Sequence, residues 1–333
     1  MSPHYSVIIP VYNRPTEVDE LLESLVKQNF QGLEVILIDD GSTLDSRSIA
    51  DKYDARLPIR YFYKQNSGPG STRNYGCEVA KSDFFIFFDS DCVLPQDYFK
   101  HLVAYQQDEI FDAYGGPDKA DENFTTVQKA INYSMTSVFT TGGIRGQKQS
   151  VEKFHPRSFN MGLSRQVFEK TKGFSPMRFG EDIDLSIRIV QEGFKAVLLA
   201  DCFVYHKRRT NYRQFFKQVF NSGIARINLY KRHPESLKLF HFFPAMFVLY
   251  LLLSLPHALY HQDVLVLIPV ILYLLVLFAD AWRMTGSGLV AFHSVIASMI
   301  QLSGYGLGFL KSIWKRMILG KGEFSDFTKN FYK

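Results

Sequence analysis

Two carboxylates, Asp89 and Asp91, follow an aromatic run over residues 84–88. Five apolar residues in a row are typical of a strand that is buried on both faces of a parallel sheet. Ligands bind at the carboxyl ends of such strands, and acids two positions apart on an extended backbone project the same way. A divalent cation with nucleotide phosphates suits two close carboxylates, because it offsets their repulsion. The alternative is a solvated turn, since Asp and Ser are ordinary turn residues.

Two more predicted strands, residues 5–11 and 33–38, also end in polar residues, and a glycine-rich turn at residues 66–74 opens a helix. The polar residues at these places are Tyr12, Asn13, Asp39, Asp40 and Arg73. Because the carboxyl ends of parallel strands meet at one edge of a sheet, we expect these groups to form a rim that binds phosphate and nucleotide. Taken singly, the Asp pair could be a solvated turn and the arginine a surface residue.

A second acidic pair, Glu181 and Asp182, comes just before an apolar stripe with helical spacing. The pattern predicts that the pair lies at the N-terminus of a helix, where acids commonly act as capping residues. The functional alternative is that one of the two carboxylates deprotonates a hydroxyl group of a substrate.

The elements that must position these residues alternate between strand and helix with short connections. This alternation predicts an α/β fold with a doubly wound, mostly parallel sheet. We expect strands at residues 5–11, 33–38, 59–63, 84–88 and 196–199, and a first helix capped by Thr16.

The C-terminal part has a different composition. Between Lys238 and Asp263, and again between Asp263 and Asp280, the chain has no Asp, Glu, Lys or Arg. Each gap approaches the roughly 20 apolar residues that a membrane span needs. We therefore predict a cytosolic domain over residues 1–235 and a membrane region over 236–333. The expected spans are about 239–260 and 264–282, and a third hydrophobic segment at about 290–310 is re-entrant, interfacial or spanning.

Charge supports this division, because nine Lys or Arg residues and one acid lie between Tyr205 and His241. A basic block before an apolar span marks a cytoplasmic flank at an anionic membrane. Nucleic acid is the rival partner, and the adjacent spans argue against it. We expect no signal peptide, because the N-terminus lacks a basic region and a long apolar run. The three Cys residues are widely spaced, which favours a reducing compartment without disulfides or zinc.

Four motifs together resemble the family 2 glycosyltransferases of A-type fold, in a bacterial membrane-anchored form. They lie at residues 7–13, 38–42, 70–74 and 89–91, and the resemblance extends over about residues 5–235. It implies an inverting transfer from a nucleoside-diphosphate sugar, with UDP as the expected nucleotide, to a hydroxyl of a lipid-linked glycan acceptor. The implied cofactor is Mn²⁺ or Mg²⁺, and the implied location is the cytosolic face of the inner membrane.

The resemblance also implies roles for individual residues. Asp182 would be the catalytic base, and Asp91 and His206 would hold the metal. The implied donor-binding residues are Pro10, Tyr12, Asn13, Asp39, Asp40, Arg73, Asp89 and Glu181. A single base without a carboxylate nucleophile fits inversion. Processive members have a Gln-x-x-Arg-Trp motif, but neither of the two Trp residues here, Trp282 and Trp314, fits it, so we expect single-sugar transfer.

Three alternatives remain at this point. A polyprenyl-phosphate sugar synthase has a phosphate as its acceptor and needs no strong base. A non-catalytic membrane protein could bind a nucleotide sugar without transferring it. A nucleotidyltransferase would also use paired acids, but the glycine-rich basic loop expected after its first strand is absent, since residues 12–15 read Tyr-Asn-Arg-Pro.

Overall fold

The computed structural model describes residues 4–119, 124–141 and 155–327. The strands are β1 Tyr5–Val11, β2 Leu33–Asp39, β3 Ile59–Tyr63, β4 Phe84–Phe88, β5 Cys92–Val93, β6 Ala113–Gly115, β7 Asp118–Lys119, β8 Asn160–Ser164, β9 Ala196–Leu198 and β10 Val204–His206. The helices are α1 Pro15–Val26, α2 Arg47–Tyr53, α3 Pro69–Val79, α4 Tyr98–Asp108, α5 Thr126–Thr136, α6 Val138–Thr141, α7 Arg165–Thr171, α8 Glu181–Gln191, α9 Tyr212–Arg232, α10 Phe243–His261, α11 Ile268–Thr285 and α12 Gly288–Ser312.

The chain forms two compact units. Unit 1 contains residues 1–121 and 152–207, and unit 2 contains residues 122–151 and 208–333. This division differs from the expected boundary after residue 235, because α5 and α9 pack with α12. The domain extents stay a prediction.

The main sheet of unit 1 has the strand order β3-β2-β1-β4-β8-β6-β9. Neighbouring strands are parallel except β8, which runs antiparallel to β4 and β6. The predicted α/β fold with a mostly parallel sheet is therefore confirmed. The first helix begins two residues earlier than expected, at Pro15 with Arg14 as its N-cap, so Thr16 lies inside its first turn and is not the N-cap.

Alternate residues of β1 point into two different cores. Val7 and Ile9 pack with residues of α1 and α4, whereas Ile8 packs on the opposite face with residues of α3 and α8. The helix α3 lies very close to the sheet at Gly76, where an added Cβ would be 2.4 Å from a methyl group of Ile8. Helices thus cover both faces, which is why the strands are continuous apolar runs.

Because β1, β2 and β4 are adjacent and parallel, their carboxyl ends lie on the same sheet edge. This arrangement confirms that the polar residues after these three strands share one edge. The three cysteines, Cys77, Cys92 and Cys202, are buried thiols without a disulfide.

Among the described residues of unit 2, three helical segments are long and apolar enough to cross a membrane, namely Leu239–His261, Val264–Thr285 and Gly288–Ile318. The first two agree with the expected spans to within three residues. The third forms one continuous α-helix with a final π-helical turn, Ile313–Ile318, so it lacks the chain reversal of a re-entrant segment. The interfacial and spanning alternatives stay predictions for this segment.

Glycines let α12 pack tightly against its neighbours in unit 2. An added Cβ at Gly308 would be 2.0 Å from the Phe220 carbonyl oxygen of α9, and one at Gly306 would be 2.3 Å from that of Pro244 in α10. Small residues in an apolar helix commonly serve such close packing.

Candidate active site

The loop after β1 is tied to the loop after β2. Asn13 has a left-handed backbone with φ of 56°, and its N–H donates to the Ser42 hydroxyl at 2.8 Å. Its side-chain oxygen accepts the N–H groups of Thr43 and Leu44. Asn13 thus holds the loop after β1 against the loop after β2. The ring of Tyr12 beside it is exposed and is available to a ligand.

Two acids with different partners follow β2. Asp39 is fully buried and accepts hydrogen bonds from the Ser42 N–H at 2.7 Å and from the Tyr61 hydroxyl at 3.1 Å. Burial, followed by the Asp39 charge, raises the pKa of Tyr61, so this phenol remains a donor. Neither contact uses all the lone pairs of the carboxylate, so Asp39 can accept a further donor.

The Asp40 carboxylate contacts the glycine-rich turn instead. It accepts the N–H groups of Ser67 and Gly68, both at 2.9 Å, and forms an ion pair with Lys64 at 2.6 Å. These contacts fix the turn that leads into α3. The donor-binding role expected of Asp40 stays a prediction, and its visible task is to hold this turn.

Arg73, in the second turn of α3, is almost completely buried and contacts two acids. One guanidinium nitrogen lies 2.5 Å from Asp89, after β4, and the other lies 3.4 Å from Glu181, at the start of α8. The guanidinium carbon also lies 5.4 Å from the ring centre of Phe174. A planar fork can donate to two carboxyl groups at once, and here it connects the strand edge with α8. Sequence reasoning placed Arg73 at the rim but did not foresee this connection.

The acidic pair Glu181 and Asp182 begins α8, as predicted from the sequence. Burial, and then the nearby charge of Asp182, raises the pKa of Glu181 to about 8. Glu181 is therefore mainly protonated at neutral pH. One Asp182 oxygen accepts the N–H of Ile183 at 2.8 Å, and the other lies 3.6 Å from a guanidinium nitrogen of Arg157.

The helix that carries this pair is anchored by a third acid of the same motif. Asp184 accepts a hydrogen bond from Ser175 at 2.8 Å and pairs with Arg188 at 2.7 Å. Arg188 also donates to the carbonyl oxygen of Gly173. The start of α8 is thus held in place by buried polar contacts, which suits a catalytic position.

The predicted metal pair also comes together. The Nε2 of His206, on β10, lies 3.1 Å from Oδ1 of Asp91, and its ring stacks on Phe159. Oδ2 of Asp91 pairs with Arg14 at 2.9 Å. Arg14 directly follows Asn13, so its sequence position indicates that it lies at this edge, but the contact with Asp91 was not predicted.

The donor atoms of Asp91 and His206 fit a divalent cation. Carboxylate oxygen and imidazole nitrogen are suitable ligands for Mn²⁺. Adjacent ligands around a small octahedral cation lie about 3 Å apart, close to the spacing of this pair. The thiol of Cys92 is in the same group, within 4.8 Å. Burial raises its pKa well above the usual value, so the thiol stays neutral and does not suit a hard cation.

Comparison with known proteins shows what the chain is similar to. The model of a family described as "Glycosyl transferase family 2" matches residues 6–172. The chain is 26% identical over 222 residues to the glycosyltransferase GlyG of Streptococcus pneumoniae, covering 63% of this chain and 72% of that protein. It is 26% identical over 230 residues to the O-antigen chain rhamnosyltransferase RfbN of Salmonella typhimurium, covering 66% and 71%.

A solved structure shares the fold. The mannosyltransferase PcManGT from Pyrobaculum calidifontis, solved in complex with GDP-Man and Mn²⁺, superposes with a TM-score of 0.58 at 16% sequence identity. The superposition covers 95% of this chain and 88% of that one.

Proposed function

The chain belongs to glycosyl transferase family 2. We propose that it transfers a single sugar, with inversion, from a nucleoside-diphosphate sugar to a hydroxyl of a lipid-linked glycan. It is a glycosyltransferase of A-type fold. The donor, the acceptor and the metal dependence are the proposed parts. The observation that carries the proposal is the position of Arg73, because this one buried side chain contacts both Asp89, after β4, and Glu181, which precedes Asp182 at the start of α8.

On the donor side, Asp39 accepts an N–H of the nucleotide base, and the exposed ring of Tyr12 lies beside it at the same sheet edge with Pro10 and Asn13. A carboxylate only accepts hydrogen bonds, so the base must offer an N–H, as uracil does. Asp89 binds the ribose, and Arg73 holds Asp89 in place. We propose UDP as the nucleotide, with GDP and dTDP as rivals, since guanine and thymine also offer N–H groups.

Asp91 and His206 are the residues that would hold a divalent cation, Mn²⁺ or Mg²⁺. When bound, such an ion stabilises the negative charge on the departing diphosphate. Arg14 places a second positive charge at Asp91, and it could also contact a diphosphate. In this proposal, Asp91, His206 and Arg14 bind the metal and the donor diphosphate, and the acidic pair of α8 does not contact them.

On the acceptor side, Asp182 takes the proton of the attacking hydroxyl group. The hydroxyl oxygen forms a bond to the anomeric carbon, while the bond from that carbon to the diphosphate oxygen breaks and its electron pair leaves with the diphosphate. Attack from the face opposite the leaving group inverts the anomeric configuration, and it needs one base only. Glu181, beside Asp182, keeps its own proton, because its pKa is raised to about 8.

The acceptor class is supported by the apolar helices of unit 2, which suggest membrane association, and by the relative RfbN, which is named for an O-antigen chain. A lipid-linked glycan offers hydroxyl groups at a membrane surface. The expected location is the cytosolic face of the inner membrane.

The test is a donor screen with the purified full chain. UDP-, GDP-, CDP- and dTDP-sugars are incubated with Mn²⁺, Mg²⁺ or EDTA, and sugar release to water and to a lipid-linked glycan is measured. We expect turnover with UDP-sugars that requires the metal. Equal turnover in EDTA would contradict the metal assignment, and transfer to a bare polyprenyl phosphate would favour the synthase alternative.

A further inference from the structure

We propose that α12, although apolar enough to cross a membrane, lies along the membrane surface, with one exposed apolar stripe in contact with lipid. The relevant contacts all lie within unit 2. They involve the hairpin of α10 and α11, whose helices are joined by a short connection at residues 262–267.

The two ends of α12 contact the open ends of that hairpin. Near its start, Ala291 shares an apolar cluster with Leu277 and Ala281, in the last turns of α11. Further along, Phe309 packs on Phe242 with ring centres 5.2 Å apart, and it clusters with Ala245 in the first turn of α10. The contact between Gly306 and Pro244 lies at the same place.

If α10 and α11 cross the membrane, the first turn of α10 and the last turns of α11 lie on the same side of it. The segment of α12 from residue 291 to residue 306 touches both, and it is about 22 Å long at 1.5 Å per residue. A spanning α12 would carry residue 306 most of the way across a hydrocarbon core of about 30 Å. Contact with the start of α10 is compatible only with an α12 that runs along the surface.

The polar helix α9 gives an independent reason. It lies beside α12 along its whole length, with contacts from Tyr212 to His293 at 2.8 Å, from Ile224 to Ser312 at 3.3 Å, and from Asn228 to Arg316 at 2.7 Å. A spanning α12 would therefore carry α9 into the membrane.

The sequence of α9 opposes insertion. It contains five cations, Arg213, Lys217, Arg226, Lys231 and Arg232. Each costs several kcal/mol near the centre of a bilayer. At the surface α9 needs no such insertion.

The surface of α12 suits lipid contact along one side. On this side, exposed or half-buried apolar residues recur at helical spacing, at Leu289, Phe292, Ile296, Met299, Leu307, Leu310 and Trp314. The opposite side is buried against α5 and α9. Lys311, Lys315 and Arg316 lie near Trp314 at its end, and tryptophan with basic residues is typical of a membrane interface.

Depth of single tryptophans in lipid bilayers tests the proposal. The native residues are removed by Trp282→Phe and Trp314→Phe, and single probes are introduced by Phe292→Trp, Met299→Trp or Leu307→Trp in the full chain. A control, Leu252→Trp, lies at an exposed position in the middle of α10. Quenching by lipids brominated at defined positions along their acyl chains then reports the depth of each probe.

We expect probes at 292, 299 and 307 to share one shallow depth, and the probe at 252 to lie deeper. In a spanning α12, position 299 would lie about 10 Å deeper than 292, since seven residues separate them. That result would overturn the proposal, and so would a shallow probe at 252 or an absence of lipid quenching along α12, which would mean that protein covers the stripe.

The side of the membrane on which the C-terminus lies is a second readout. A tag after residue 333 and a tag before residue 1 are treated with protease in intact cells and in inverted membrane vesicles. We expect both tags to be cleaved in the same preparation. Cleavage in opposite preparations would contradict a surface position for α12, whether or not the chain transfers sugar.

Discussion

The strand edge and the start of α8 both present acidic pairs, but they hold them in opposite ways. At the strand edge, Asp40 and Asp91 are surrounded by donors and cations, among them Lys64, Arg14 and the N–H groups of the glycine-rich turn. At α8, Glu181 is buried and keeps its proton to a pKa of about 8. This difference agrees with the proposal that the strand edge binds a charged ligand, whereas the start of α8 takes part in transfer of a proton.

The largest expected effect on the transfer rate comes from a substitution at the strand edge that leaves α8 unchanged. Asp91→Asn removes the carboxylate charge from the predicted metal pair, and we expect at least about 100-fold slower transfer because the departing diphosphate loses its stabilisation. Titration with Mn²⁺ should show a matching loss of metal affinity. Asp51→Asn, an exposed change in α2, is the matched control. Unchanged Mn²⁺ binding in Asp91→Asn would remove Asp91 from the metal site.

A smaller effect is expected from a substitution of Arg73, which connects the strand edge with the start of α8. Arg73→Lys keeps a positive charge but cannot contact Asp89 and Glu181 at once, because a single ammonium replaces a planar fork. We expect roughly 10-fold slower transfer together with a lower Tm, since a buried partner is lost. Arg56→Lys, at an exposed pair with Glu23, should change neither quantity. Wild-type kinetics in Arg73→Lys would show that the bridge has no catalytic importance.

The smallest expected effect concerns the start of α8 and is a difference in how Tm depends on pH. Folded Glu181 keeps its proton to about pH 8, whereas an unfolded glutamate loses it near 4.5. The folded state therefore binds more protons between these values, so rising pH lowers the free energy of unfolding in this window. Glu181→Gln removes that contribution. We expect the Tm of the wild type to fall by several degrees more than that of the variant between pH 5 and pH 8; parallel Tm profiles would contradict a protonated Glu181.

Much of the strand edge could be predicted from sequence, because its signals are local. A continuous apolar strand followed by an acid marks a parallel strand end, and Asp39, Asp89 and Asp91 all follow this rule. Adjacent parallel strands then bring these ends together without further information. The start of α8 was also visible, since Glu181 and Asp182 precede an amphipathic helix.

Contacts between distant segments were not visible in this way. Arg73 and Glu181 are separated by 108 residues, and Arg14 and Asp91 by 77, and no local pattern reports either pairing. The boundary after residue 235 followed the change in hydropathy, but α9 is buried by packing with α12, which composition cannot show. For the same reason, composition left the position of α12 in the membrane open.

The proposed division of roles between the strand edge and α8 requires Asp182 to be the catalytic base, and Asp182→Asn tests this requirement most directly. Donor affinity, from calorimetric titration with the nucleotide sugar and metal, and single-turnover transfer to the acceptor are measured on the same preparation. The account predicts wild-type donor affinity and transfer at least about 100-fold slower, because the variant keeps the strand edge but lacks the base. Transfer at the wild-type rate would contradict it, since Asp182 would then not be the group that accepts the proton.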